Sequence, residues 1–303
     1  MGKSSVACNI IMRDVSDTIL ACISSTNAVF DQYVFCDTGS KDKTKEIVTK
    51  WCEDNKVNYK IVDYKGYRFD NKDERKRKSW ADIPQYEWDF GDARQVALAN
   101  TDTEWMFWMD ADDIVINPEG IKPLIEECRI SDIAMVNLPY HYAQDAQGND
   151  IIYQYRERVM KVRYDGVQRA RWIDPVHEYC LIESEVFHNP PAIRQDVRLI
   201  HKRTMDHVVE TNRRNNRILY YRLEQERISG KLDVRTLSVL AFDHYEHREW
   251  EECIKYYKEL FDEIKRIGDP NLDRQYVNHL QSYTKACIQY RDFETAFSLT
   301  ERA

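Results

Sequence analysis

The sequence predicts an α/β protein: a mostly parallel, doubly wound sheet domain over residues 1–204, followed by an all-α region over 205–303. Three observations predict it. Short apolar runs alternate with helical patterns from residue 6 to about 136, two of those runs end in aspartate (Asp37 and Asp110), and two segments near the chain end repeat at an offset of 43 residues. Strands alternating with helices build parallel sheets, which bind ligands at the carboxyl ends of their strands. Asp37 and Asp110 are therefore site candidates from pattern alone.

Val6 to Met12 reads as a buried strand, Asp17 to Val29 as a helix, Gln32 to Asp37 as a strand and Lys43 to Asn55 as a helix opened by Ser40 and Asp42. Val57 to Tyr64 is a strand, Asp92 to Asn100 a helix, Trp105 to Asp110 a strand and Pro118 to Cys128 a helix that starts on proline. The pattern then changes. Ile133 to Ala143 and Ile151 to Val162 flank the turn-rich stretch Gln144 to Asp150, a hairpin that adds antiparallel members to the sheet. A strand at Val197 to His201 leads into a long helix from Met205 through Glu226.

The repeat aligns His247-Arg248-Glu249-Trp250-Glu251-Glu252-Cys253-Ile254 with Tyr290-Arg291-Asp292-Phe293-Glu294-Thr295-Ala296-Phe297. In both, an aromatic follows a short polar turn, as at the second helix of a tetratricopeptide hairpin. An offset of 43 exceeds the roughly 34 residues of that repeat, so an elongated hairpin or an extra turn near Gly268-Asp269-Pro270 is required. Two repeats are few for a free-standing array, and this one reads as cut short at Thr300-Glu301-Arg302-Ala303.

Composition narrows the classes. With 303 residues, 43% apolar, the chain can bury one large and one smaller core, and 32% charged residues against 9 Gly and 8 Pro exclude collagen-like or low-complexity character. A mean hydropathy of -0.68 and the lack of a run near 20 apolar residues argue against a spanning helix. The first residues carry no hydrophobic signal region, and Val6 stands where a myristoylation motif wants Ser or Thr, so the expected location is cytoplasmic. The eight cysteines form no C-x-x-C pair and read as buried thiols. A net charge of -8 excludes a wholly basic surface.

The chemistry concentrates in Trp105-Met106-Phe107-Trp108-Met109-Asp110-Ala111-Asp112-Asp113. A buried strand ends in three carboxylates, hard oxygen donors that suit Mg²⁺ or Mn²⁺ shared with a substrate phosphate. A bare D-x-D fits equally a strand-to-helix turn in which aspartate caps the next helix. Its companions are Cys8-Asn9-Ile10-Ile11-Met12-Arg13-Asp14, Asp37-Thr38-Gly39-Ser40-Lys41-Asp42-Lys43-Thr44 and Trp88-Asp89-Phe90-Gly91-Asp92-Ala93-Arg94-Gln95-Val96-Ala97-Leu98.

In order and position these segments resemble the motifs of glycosyltransferase family 2, inverting enzymes with a GT-A fold, over roughly residues 6 to 205. The branch with helical repeats after the catalytic domain is similar to the sublancin-type peptide S-glycosyltransferases. The resemblance implies a UDP-sugar donor, UDP-glucose or a related hexose, with Mn²⁺ or Mg²⁺ stabilising the departing diphosphate. It implies that Asp112 contacts the metal, that Asp110 contacts ribose or metal, and that Asp37 lies near the nucleobase; a capping role for Asp37 in its own turn is the other possibility. Arg94 is placed to face nucleotide phosphate or ribose, or else to pair with Asp89 or Asp92. Trp172-Ile173-Asp174-Pro175-Val176-His177-Glu178 resembles the Val-His-Glu element of this branch, which makes Glu178 the candidate base, with His177 and Asp174 behind it; the alternative is a polar edge strand. His201 matches a late metal or phosphate ligand, or is structural.

Met12-Arg13-Asp14 replaces the family's Lys-Asn-Glu, and Gln95 stands where Asn is common. Between Tyr64 and Trp88 the chain also gains a segment, 65–80, whose residues 65 to 78 hold seven basic and three acidic side chains, a charge of +4. With Tyr67, Phe69 and Trp80 interleaved it is either a solvated loop or a cover for donor phosphates or an anionic acceptor. Peptide, polysaccharide and modified nucleic acid all fit as acceptor, and a homodimer contact through the helical region is implied by the resemblance alone, not by the pattern. Two rival readings are a non-catalytic interaction protein that uses the helical repeats, and a nucleotidyltransferase. The latter lacks its Gly-rich loop, since the position reads Met12-Arg13-Asp14-Val15-Ser16.

Overall fold

The computed structural model describes residues 4–64, 89–145, 147–186, 188–202 and 205–300; the basic segment 65–80, Trp88 and the terminal residues 301–303 lie outside the described residues. The chain divides into two compact units, Met1–Val208 and Val209–Ala303.

The first unit follows the expected alternation: β1 (Val6–Met12), α1 (Ile19–Ser24), β2 (Gln32–Asp37), α2 (Thr44–Asp54), β3 (Tyr59–Asp63), α3 (Phe90–Ala99) and β4 (Trp105–Asp110). Helix α1 is shorter than its apolar pattern suggests, because Asn27 and Ala28 adopt left-handed backbones (φ 48° and 52°) that no helix continues through. A short strand the pattern did not reveal, β5 (Asp113–Ile116), comes next, and a single tight turn at Pro118–Gly120 precedes α4 (Ile121–Ile130). Strands β6 (Met135–Gln144) and β7 (Asp150–Lys161) form the long hairpin. Short strands complete the unit: β8 (Arg163–Tyr164), β9 (Val167–Gln168), β10 (Ala170–Ile173), β11 (Tyr179–Ile182), β12 (Ala192–Ile193) and β13 (Arg198–His201).

The main sheet runs β3-β2-β1-β4-β7-β6-β13-β5, with β12 beside β6. Strands β3, β2, β1 and β4 are mutually parallel, while β7 is antiparallel to both its neighbours and β5 to β13. Strand β2 is buried at every position, the property of a strand covered on both faces. One face packs Phe30, Tyr33, Phe35, Trp51 and Phe107 with apolar residues of α1, α2 and α4. The other packs Ala93, Ala97 and Leu98 of α3, with Val34, Cys36, Met106, Trp108 and Trp172 beside them. All eight cysteines are buried and free.

Strand order reverses at β1, which has β2 and β3 on one side and β4 on the other, and such a switch point opens a crevice over the strands' carboxyl ends. Register aligns the residues there. Met12 pairs with Asp37 and Asp37 with Asp63, while Ile11 pairs with Asp110.

Helix α5 (Met205–Ser229) leads to α6 (Val234–Glu246), α7 (Trp250–Ile267), α8 (Pro270–Tyr290) and α9 (Phe293–Thr300). The turns before α7 and α9 each place an arginine in the left-handed region, Arg248 (φ 60°) and Arg291 (φ 67°), 43 residues apart as the repeat requires. The extra length lies in α8, 21 residues against 13 in α6, and in a junction where Gly268 (φ 70°) closes α7, Asp269 caps α8 and Pro270 begins it. Among the described residues no helix is long and apolar enough to cross a membrane.

Within this second unit His279 packs against the rings of Phe242, Tyr257 and Tyr276, and burial lowers its pKa. A base with a depressed folded-state pKa contributes its stability above the unfolded value of about 6.5 and loses it as pH falls. His279→Gln is therefore expected to flatten the decline of the thermal midpoint between about pH 7 and pH 5. An unchanged slope would show that other groups set it.

Candidate active site

Asp37 ends β2 and is 1% exposed. Its carboxylate accepts from the backbone amides of Gly39 (3.3 Å) and Ser40 (3.1 Å) and from the Ser40 hydroxyl, and Lys45 Nζ lies 3.0 Å away. The turn is tight because Gly39 adopts φ 110°, a backbone that L side chains avoid. Asp37 thus ties its own turn together at the crevice.

Strand β4 delivers Asp110, and the sharp turn into β5 brings Asp112 and Asp113 after it. Asp113 is fully buried. Its Oδ1 accepts from the Tyr140 hydroxyl (2.9 Å) and lies 2.8 Å from His201 Nδ1; its Oδ2 accepts from the Asp110 amide (3.0 Å) and lies 3.3 Å from Arg158 Nη2. The β5–β13 register, which pairs His201 with Asp113, creates this contact. Asp112 Oδ1 stands 3.5 Å from the same imidazole nitrogen, with 31% of its side chain exposed. The His201 ring is held by Tyr142, stacked at 5.2 Å, and by Tyr140 at 5.8 Å.

The sequence offered Asp89 or Asp92 as ion-pair partners for Arg94. Asp89 instead caps α3 by accepting from the Asp92 amide (2.8 Å), and Asp92 accepts from the Tyr64 hydroxyl (2.7 Å). Arg94 lies on the inward face of α3, 5% exposed, where Nε donates to Glu178 Oε1 and Nη2 to Asp110 Oδ1, both at 2.6 Å. Its guanidinium carbon is 4.2 Å from the Trp108 ring centroid, and that of Arg158 is 3.8 Å from it. Arg158 is fully buried, with Nη2 also 3.9 Å from Asp110 Oδ2.

The titrations follow from these contacts. Burial alone raises the pKa of Asp110, but Arg94, Arg158 and His201 outweigh it and hold the carboxyl well below its usual range. Burial, with Asp110 and Asp113 adding to it against His201, pushes Asp112 up to about 6. Burial works against a charged His201, yet the Asp113 hydrogen bond and the surrounding carboxylates hold its pKa above the ordinary value.

Glu178 is presented by the β10–β11 connection, in which Asp174 (φ 71°) and His177 (φ 53°) are both left-handed. Such backbones are uncommon outside glycine, and asparagine, aspartate and histidine tolerate them best. His177 is exposed, and Asp174 and Glu178 are half-buried. Helix α3 holds this segment: the Phe90 amide donates to the Pro175 carbonyl (2.8 Å), and the Gln95 side-chain oxygen accepts from the Trp172 amide (2.9 Å). A Cβ on Gly91 would stand 2.2 Å from the Asp174 carbonyl oxygen. Gly91→Ala is accordingly expected to cost about 1–3 kcal/mol in denaturant unfolding. A neutral result would mean that the loop yields freely.

Asp110, Asp112, Glu178, Arg94 and His201 thus gather at one end of the sheet, with the Arg94 guanidinium over Trp108, while Asp37 stands two strands from Asp110, at the end of β2. Asp113, the third carboxylate of the motif, is the buried member of the cluster, and Arg158, Tyr140 and Tyr142, which pattern did not reveal, complete it. Ligating atoms of Asp110, Asp113 and His201 lie within 4.8 Å of one another. The four carboxylates and two guanidiniums sum to -2 before His201 is counted, so the cluster is anionic whichever charge the imidazole carries. Asp110 is engaged by two arginines and Asp113 by Arg158, Tyr140, His201 and the Asp110 amide, while Asp112 is partly exposed beside them, 3.5 Å from His201 Nδ1.

No protein-family model and no curated protein matches the sequence. Among solved structures, S. aureus TarS 1-349 in complex with UDP-GlcNAc is 20% identical over 47% of this chain and 35% of that one, with a TM-score of 0.34. TarS 1-349 in complex with UDP is 12% identical over 93% of this chain and 80% of that one, at 0.44. Glucosyl-3-phosphoglycerate synthase from Mycobacterium tuberculosis, in complex with Mn²⁺, UDP and phosphoglyceric acid, is 19% identical over 45% of this chain and 43% of that one, at 0.31.

Proposed function

We propose that the chain is an inverting, divalent-metal-dependent glycosyltransferase of the family 2 type, similar to the sublancin-type branch. It takes a hexose, glucose by preference, from a UDP-sugar. The observation that carries this reading is the acidic cluster of Asp110, Asp112, Asp113 and His201 at the carboxyl end of β4, beside the switch point of the sheet and within reach of Glu178 through Arg94.

Asp112 and His201, with Asp110 behind them, would hold Mn²⁺ or Mg²⁺. When bound, the ion supplies positive charge to the departing diphosphate. Glu178 accepts the proton of the acceptor hydroxyl or thiol as that atom bonds to the anomeric carbon, and the anomeric carbon–oxygen bond breaks with its electron pair leaving on the diphosphate. His177 and Asp174 shape the loop that presents Glu178. Asp37 fixes the turn beside the nucleobase position. Catalysis belongs to residues 1–204, and the tetratricopeptide-like region 205–303 serves self-association or acceptor contact.

A thermal-shift panel of nucleotides and nucleotide sugars, with and without Mn²⁺, tests the reading. UDP-glucose with Mn²⁺ is expected to raise the midpoint by several degrees, the response of a site that binds only the native state. If no nucleotide shifts it in the presence of metal, the transferase reading falls.

A further inference from the structure

A guanidinium that grips a donor phosphate turns its fork of N–H groups toward the ligand. Arg94 does otherwise. It is 5% exposed, walled by Trp108 and Trp172 at 4.2 and 5.3 Å, and its two short hydrogen bonds run to carboxylates from different parts of the fold, Glu178 after β10 and Asp110 at the end of β4. Helix α3, which carries it, is fixed to the same loop by the Phe90–Pro175 and Gln95–Trp172 hydrogen bonds and by the close approach of Gly91.

We infer that Arg94 is a positioning residue which locks the Glu178 carboxylate at a set place relative to Asp110, and that it is not a contact for the donor phosphates. Nε engages Oε1, so Oε2 of Glu178 is the oxygen that receives the acceptor proton. The clamp stands on geometry alone; what Glu178 does with its second oxygen rests on the transferase reading above.

The test compares wild type with Arg94→Gln, Glu178→Gln, the double variant and Arg94→Lys. It measures kcat and KM for the donor, UDP affinity with Mn²⁺ by calorimetry, and the thermal midpoint. Arg94→Gln is expected to bind UDP within about threefold of wild type while kcat falls at least about tenfold, the split expected when ground-state binding is untouched. The double variant is expected to be no slower than Glu178→Gln alone, because no base remains to be positioned, and Arg94→Lys to recover part of kcat. A tenfold or greater weakening of UDP binding, with independent losses in kcat, would overturn the inference in favour of a donor contact. If Arg94→Gln fails to fold, the cycle runs with Arg94→Lys and its double with Glu178→Gln. Wild type that transfers no sugar sinks the transferase reading, and the midpoints then decide the clamp by themselves: coupling between positions 94 and 178 supports it, and additive shifts overturn it.

Discussion

Asp112→Asn is expected to lower UDP-sugar turnover, transfer and hydrolysis alike, by roughly 10³-fold while the thermal midpoint stays level or rises. The asparagine amide keeps the shape of the carboxylate and loses the anion on which a cation would sit. The fold has no need of that anion. Asp112 faces two other carboxylates, Asp110 and Asp113, and meets His201 at 3.5 Å, while its backbone carbonyl keeps the bond from the Lys202 amide (2.9 Å) in either variant. Removing the charge relieves repulsion in a partly desolvated place. Turnover retained by Asp112→Asn, measured beside its melting curve, would remove the residue from its proposed role.

Arg158→Met is expected to produce the largest loss of stability, about 3–5 kcal/mol in denaturant unfolding, because it strands a buried carboxylate. Arg158 and Asp113 are both fully buried and face each other at 3.3 Å. Methionine keeps the apolar stem beside Trp108 and Tyr140, so the loss reports charge more than volume. Arg158→Met with Asp113→Asn is expected to recover much of it, since the amide oxygen can still accept from the Asp110 backbone N–H while the amide NH2 donates to the Tyr140 hydroxyl oxygen. A loss under about 1 kcal/mol in the single variant would show that Asp113 does not depend on the arginine.

The order of strands and helices through β4 was legible because buried strands and amphipathic helices impose different periods on the chain. Strand β5 was not, for a physical reason. Its four residues, Asp113–Ile116, begin inside the acidic motif, and their strand character comes from pairing with β13, 82 residues further on at the Ile116–Arg198 contact. With β5 unseen, the Asp113–His201 contact could not be drawn. Arg158 read as one more polar residue in a strand. Glu178 and Arg94 were each marked by motif, yet their mutual contact spans 84 residues and depends on how α3 lies against β10. Local pattern reports what a residue offers; register and helix docking decide which residue receives it.

The pairing of two arginines with Trp108 and three carboxylates also bears on how such a site can change over generations. Glu178, Arg94, Asp110, Arg158 and Asp113 form a chain of alternating charge in which each interior member neutralises two neighbours. A single exchange leaves an uncompensated charge out of water, whereas paired exchanges do not. These positions are therefore expected to vary together or stay fixed. Asp112 lies outside the alternation, so under the proposed function chemistry, and not the stability of the fold, constrains its identity.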